Sequence, residues 1–358
     1  MTKSDRPAAE GGEGGTTGRP GSSRPAPPAR LASARLLWHT VRWPLLALAL
    51  ILLFNLLTAP EFFRVEVKDG HLYGSLVDVF KRGAPVLLLS LGMTLVIATG
   101  GVDLSVGAVM AIAGAVGALA LKAGHPVPLA ILYSLLVSLA AGCWNGALVG
   151  YLEVPPIVAT LILMVSGRGV AQLLTDGQII TFENPAFEFI GRGHVLALPF
   201  PVLVVAAVFF LLLAFTSRTS AGLFIEATGD NETASRYAGV NTRLVKLAVY
   251  GLCGLCAGVA GLITTADIKA ADSNSAGLYL ELDAILSVVV GGTALTGGRI
   301  ALAGSVVGAV LIQALTTTIL TRGIPPTFTL VVKAAVIIVV CLLQAPRFRQ
   351  RVLRATPS

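Results

Sequence analysis

Asp103 and Arg168 are ionisable side chains set among long apolar runs, and that setting restricts the chemistry they can do. A charge surrounded by apolar neighbours is costly, and where those neighbours face lipid it marks a functional position by default. Asp103 lies in Gly100-Gly101-Val102-Asp103-Leu104-Ser105-Val106-Gly107. There a carboxylate can cap the helix that follows, or meet a polar ligand. Arg168, in Ser166-Gly167-Arg168-Gly169, is close enough to the end of its run to snorkel, to form a structural or gating ion pair, or to touch a polar substrate. Asn145, in Gly142-Cys143-Trp144-Asn145-Gly146, can bridge two helices or hydrogen-bond a hydroxyl.

Catalytic constellations are missing from the sequence. His39, His71, His125 and His194 are scattered, and no H-E-x-x-H, G-x-S-x-G or metal-spaced Cys/His set occurs. Gly-Lys occurs nowhere, so there is no Walker A loop and any ATP is bound by another chain. Cys253 and Cys256 form a C-x-x-C, but Leu252, Gly254, Leu255 and Ala257 around them indicate packing on an apolar helix rather than redox work. No cofactor, metal or catalytic residue is expected.

The elements that hold these residues follow from composition. Of 358 residues, 55% are hydrophobic and 13% charged, and the mean hydropathy is +0.82. About half the usual charge cannot cover a soluble globule, so the second solvent is lipid. The net charge of +7 comes from the ends: residues 1–42 hold seven Lys/Arg against three Asp/Glu, and 347–358 hold four Arg and no acid. Basic ends on a neutral apolar body fit the excess of Lys/Arg on the cytoplasmic side of membrane proteins and offer no hydrated basic face for nucleic acid.

An all-α, polytopic integral membrane protein is expected, with apolar runs over residues 43–57, 84–99, 104–122, 128–150, 156–174, 197–216, 244–264, 282–298, 300–321 and 328–345. Each approaches the roughly 20 residues that span a bilayer core, giving ten crossings, or nine if 282–298 only dips in. Residues 1–36, rich in Gly and Pro, are expected as a disordered basic cytoplasmic tail, 37–346 as the membrane domain with a cytoplasmic loop at 217–243, and 347–358 as a second basic cytoplasmic tail. Both termini then face the cytoplasm, in accord with an even number of spans. Lys81 and Arg82 resist this scheme, since they fall on the outer side before the second span.

Two spans share a device. Gly100-Gly101 and Gly291-Gly292 interrupt aliphatic runs in corresponding places, and unwound backbone at depth is tolerated where it lines a cavity. Tight packing of small-residue faces is the other reading. A proton- or sodium-coupled carrier needs several intramembrane acids, whereas Asp103 stands nearly alone. A channel needs a filter ring or an Arg series, and neither is visible. In the 217–243 loop, Asn231 can cap a short helix that opens on Glu232 and closes at Gly239. Such a helix is the right size to dock in a partner's groove, or is simply an interfacial loop helix.

This loop carries a resemblance. Glu226-Ala227-x-Gly229-x-Asn231-x-x-Ala234 through Ala238-Gly239-Val240-Asn241 resembles the coupling segment of bacterial ABC sugar-importer permeases of the ribose, xylose and galactofuranose branch. The 92–107 segment, Gly291-Gly292 and Gly297-Gly298 resemble that branch as well, over about residues 43–345. Within it, 80–114, 158–178, 266–272 and 281–286 are similar to the galactofuranose importer permease nearly residue for residue. Ser235-Arg236-Tyr237 departs from the branch, where an Ala-Ala pair is usual.

The resemblance implies a pore subunit in the inner membrane that pairs with a second permease, receives sugar from a periplasmic binding protein and is driven by a cytoplasmic ABC ATPase. Glu226, Ala227, Gly229, Asn231, Ala234, Gly239 and Asn241 would couple to the ATPase. Gly100, Gly101, Asp103, Ser105, Asn145, Arg168, Gln172, Gly291 and Gly292 would line the route, with Ser105, Asn145 and Gln172 meeting sugar hydroxyls. The sugar expected is galactofuranose, with ribose or another monosaccharide as the alternative; a proton-coupled secondary carrier is the alternative of a different class.

Overall fold

The computed structural model describes residues 29–68, 70–325 and 328–344. Of the expected tails, 1–36 and 347–358, all but residues 29–36 lie outside them; those eight are not a disordered tail but the first turns of the first helix. Helix dominates because a chain in lipid must satisfy every backbone group internally. The helices are α1 (Ala29–Thr58), α2 (Ser75–Ala98), α3 (Val106–Lys122), α4 (Val127–Gly150), α5 (Pro156–Leu174), α6 (Pro185–Arg192), α7 (Phe200–Arg218), α8 (Ser220–Asp230), α9 (Glu232–Tyr237), α10 (Thr242–Ile268), α11 (Leu280–Val290), α12 (Leu302–Thr321) and α13 (Thr329–Gln344). Among the described residues six are long and apolar enough to cross a membrane: α2, α4, α5, α7, α10 and α12. The Pro44–Thr58 part of α1 and all of α3 are shorter apolar helices.

Two spans differ from the hydropathy reading. The 282–298 run is helical only to Val290, and α11, with 11 residues, is about 16 Å long, half of a ~30 Å bilayer core. The chain then runs without helix through 291–301 to the start of α12, and the Gly298 N–H donates to Ala98 O at 2.9 Å at the end of α2. This crossing is therefore half helix and half irregular thread, with turns at 291–292 and 295–296. The second helix also starts earlier than its apolar run, at Ser75, so Lys81 and Arg82 are inside α2 and not in a connecting segment.

The long helix α10 packs along α4, α2 and α3, while α12 packs on α2 and α11. The apolar windows of α2, α10 and α12 are mostly covered by protein; those of α4, α5 and α7 are mostly uncovered, with Leu136, Ile162, Phe210 and Leu211 pointing outward as a lipid solvent permits. The α4–α10 seam is built from small residues. A Cβ on Gly142 would overlap the Tyr250 carbonyl and one on Gly254 the Ser138 carbonyl, so the two backbones approach as closely as small-residue motifs allow. α8 and α9 lie at one end of the bundle. At the opposite end the connections after α5 and α10 are tied by an antiparallel pairing of Ile180–Thr181 with Ala270–Ala271.

Candidate functional site

The α8–α9 corner is closed by its own side chains. The Asn231 side chain accepts the Ala234 N–H at 2.9 Å and so caps α9, whose single turn and a half ends in Gly239 at φ +88, a left-handed conformation that favours glycine. Asn241 caps α10 in the same way, accepting the Leu244 N–H at 3.1 Å. The residues that depart from the resemblance do specific work at this corner. The Ser235 hydroxyl donates to Ala227 O at 2.8 Å, and Arg236 donates to Thr242 Oγ1 at 2.9 Å and to Glu153 at 3.3 Å. Tyr237 stands 89% exposed. Glu232 pairs with Arg236 and with Lys246 of α10, both at 2.8 Å. Its partial burial opposes ionisation, but the Lys246 and Arg236 cations outweigh that and hold its carboxyl below the usual range.

At the end of α8 three chain segments meet. Gly229 packs directly on Ala98 O at the end of α2 and on the backbone of Gly298, leaving no room for a Cβ. Glu226 accepts the Ile300 N–H at 2.9 Å. The coupling residues named from sequence thus fall into three places: Glu226 and Gly229 on this junction, Ala227 at the α8–α9 corner with Ala234 exposed on α9, and Asn231, Gly239 and Asn241 at helix ends. Gly100 lies beside Thr296 and Gly297, while Gly291 is pressed on Gly304 of α12, with Gly292 closing α11 at its side.

Asp103 is buried at the start of α3, accepting the Ser105 N–H at 2.9 Å and the Ser105 hydroxyl at 2.6 Å. Asn145 of α4 donates to Ser105 Oγ at 2.8 Å and to Asp103 at 3.4 Å. The three therefore form one network that fixes the α2–α3 break to α4. Arg168 and Gln172 are in the other half of the membrane. Arg168 donates to the carbonyls of Ser273 and Ala276 at 3.1 and 2.6 Å, and Gln172 to Asn274 Oδ1 at 2.8 Å, so both hold the connection between α10 and α11. Among the described residues Arg168 has no carboxylate within ion-pair distance.

Hydropathy passed over the other polar feature. A cavity of ≈ 480 Å³ opens between α2, α3, α10, α11, α12 and α13 at the end away from α9. It receives Lys81 and Arg82 from α2, Asp267 and Thr264 from α10, Asp283 from α11 and Lys333 from α13. Asp283 and Lys333, each with a side chain 12% exposed, pair at 2.7 Å. Lys81 lies 3.6 Å from Asp267, which Arg192 of α6 also approaches. Asp283 and Lys333 each lie inside an apolar run and were discoverable on that ground; their pairing across 50 positions was not. Among the described residues no group of three or more His, Cys, Asp or Glu could hold a metal ion.

Known proteins share this chain's sequence over most of its length. It is 53% identical over 314 residues to the galactofuranose transporter permease protein of Escherichia coli (strain K12), covering 88% of this chain and 92% of that one. It is 38% identical over 335 residues to the fructose import permease protein of Bifidobacterium longum, covering 90% and 94%. It is 33% identical over 309 residues to the ribose import permease protein of Escherichia coli (strain K12), covering 85% and 94%. The family described as branched-chain amino acid transport system / permease component matches residues 75–341, which takes in every helix from α2 into α13. This bundle of apolar helices, with a polar cavity at one end and a capped helical corner at the other, is a membrane-embedded permease component and belongs to that family.

Proposed function

We propose that the chain is the pore-forming subunit of an ATP-driven ABC importer that carries a monosaccharide, galactofuranose before ribose or another, across a bacterial inner membrane. Its partners are a cytoplasmic ABC ATPase that grips α9, a periplasmic sugar-binding protein, and a second permease, identical or not, with both termini of this chain in the cytoplasm. The relatives' printed substrates are all sugars, which supports a sugar over the amino acids of the family description.

One observation carries the mechanical part: Gly229 at the end of α8 touches both Ala98 and Gly298. A pull on α9 therefore reaches α2 and the thread that follows α11 through direct backbone contact. Gly100, Gly101, Gly291, Gly292 and the Asp103, Ser105 and Asn145 network would act as the gate at this end, while Arg168 and Gln172 brace the other mouth. High affinity belongs to the binding protein, since a permease that held sugar tightly would release it slowly.

The test is reconstitution of the chain with its ATPase, binding protein and second permease in liposomes. Uptake of methyl β-D-galactofuranoside that requires ATP is expected. Uptake by the chain alone, driven by a proton gradient, would overturn the reading.

A further inference from the structure

Two of the four histidines meet face to face across two hairpins at the end of the bundle away from α9. His71 lies in the hairpin that pairs Glu66–Lys68 with His71–Tyr73 and leads into α2, and His194 in the one that pairs His194–Val195 with Leu198–Pro199 and leads into α7. The imidazole rings stack with centroids 4.4 Å apart and planes 24° from parallel, and the Tyr73 ring tilts against His194 at 5.7 Å. Beside the stack the Leu72 N–H donates to Ala197 O at 3.1 Å, a hydrogen bond from hairpin to hairpin. Among the described residues no hydrogen bond or ion pair involves a nitrogen of either ring, and the His71 Nδ1 is buried without a partner. Stacking, not polar contact, therefore holds the two rings together.

The charges around the stack are cationic or engaged elsewhere. α2 contributes Lys81, whose ammonium lies 3.6 Å from Asp267 of α10, and α6 ends in Arg192, which approaches the same carboxylate at 3.9 Å. Glu188 of α6 is taken by Lys269, and Asp78 in the first turn of α2 pairs with neither ring. Within the first hairpin Lys68 is the register neighbour of His71 and Glu66 that of Tyr73, with Glu66 held by Arg64 at 3.1 Å. Burial first, then the facing His71 ring and then Lys81, oppose a charge on His194 and hold its pKa below the usual imidazole value. We infer that His71 and His194 form an acid-released clamp, which fastens the ends of α2 and α7 away from α9 while the imidazoles are neutral and parts on protonation. The sign follows from His194: closure is complete above the open ring's value of about 6.5 and is lost as pH falls from there toward the lower value of the closed ring. α2 runs from this clamp to Ala98, the contact of Gly229, so release frees one end of the helix on which α8 bears. The clamp is independent of what the chain carries.

Hydrogen exchange of the full chain in lipid nanodiscs, expressed as protection factors, tests the clamp at the Leu72 amide. Protection there should be constant above about pH 7 and fall below about 6.5 by up to about tenfold per pH unit, the slope of one proton, while the Gly298 amide at the other end of α2 keeps its protection. The double variant His71→Phe/His194→Phe retains two stacked rings that cannot be charged, so its Leu72 protection should not change over the same range. His194→Ala removes the stack, and protection should be low at every pH. Leu72 protection that is flat in the wild type, or that falls equally in the double variant, overturns the clamp. In imidazole NMR, His71→Ala should move the His194 titration up toward about 6.5, and an unmoved titration overturns the clamp as well. In the reconstituted complex the wild type should lose a larger share of ATP-driven uptake than the double variant between about pH 7.5 and about 5.5, and equal losses overturn the switch. If the wild-type complex imports no sugar at any pH, the functional reading falls and the exchange result still decides the clamp.

Discussion

Asp283 on α11 and Lys333 on α13 form an ion pair of 2.7 Å at membrane depth, on the wall of the cavity. Two charges of opposite sign at that depth stabilise each other, and removing one strands the other. The pair also fastens α13 to a helix that only half crosses the membrane.

Asp283→Asn or Lys333→Met alone should therefore destabilise the protein by about 2–3 kcal/mol, below the ~3–5 typical of a dry pair because the cavity admits water. The double variant Asp283→Asn/Lys333→Met should recover most of that loss. Thermal unfolding in detergent across the double-mutant cycle measures the coupling, and additive losses would remove the pair from the account.

Gly229→Ala should abolish ATP-coupled uptake while leaving membrane insertion intact, because its Cβ would drive α8 off Ala98 and Gly298. Gly239→Pro should do the same by another route. Proline cannot take φ +88, and it lacks the N–H that Gly239 donates to Arg236 O at 3.0 Å. Uptake assays alongside membrane-fraction blots check both, and normal uptake in either would end the role assigned to this corner.

The seat of α9 should depend on pH in one direction only. Burial raises the Glu232 carboxyl's affinity for its proton, but Lys246 and Arg236 prevail and lower it, so the folded carboxyl titrates below its unfolded value of about 4.3. A depressed carboxyl contributes stability above the unfolded value and loses it as pH falls through the folded one. The protection factors of the α9 amides, which divide out the intrinsic pH dependence of exchange, should thus be flat from neutral pH and fall only as pH drops below the ordinary carboxylate range. In Glu232→Gln protection should be low throughout.

Arg168→Met should loosen the connection between α10 and α11, since Nη1 alone donates to both the Ser273 and Ala276 carbonyls and methionine offers no donor in its place. The loss expected is about 1.5–3 kcal/mol of local stability. Faster proteolysis near residue 274 in the variant, with unchanged cleavage elsewhere, is the signature to look for.

Apolar run length made the helices legible, and cap chemistry made α9 legible to the residue, from Asn231 to Gly239. Run length failed where water enters the bundle. Lys81 and Arg82 read as a loop because hydropathy cannot see the cavity that hydrates them inside α2. It failed again at Val290, where a run of adequate length is helical for only half of it because Gly291 is packed on Gly304, a contact between segments distant in sequence. Asp103 with Ser105 was readable because the capping partner is two residues away. The carbonyls that hold Arg168 lie more than 100 positions away and leave no local sign.

The thread 291–301 leaves one further consequence. A helix moves as a rod, whereas a segment that turns at 291–292 and again at 295–296 bends before it transmits. Fastened to α8 by Glu226 at Ile300 and to α2 by Gly298, its far end is tied to three elements at one place. A displacement of α8 therefore meets α2 and the start of α12 directly, and α11 only through the turns between.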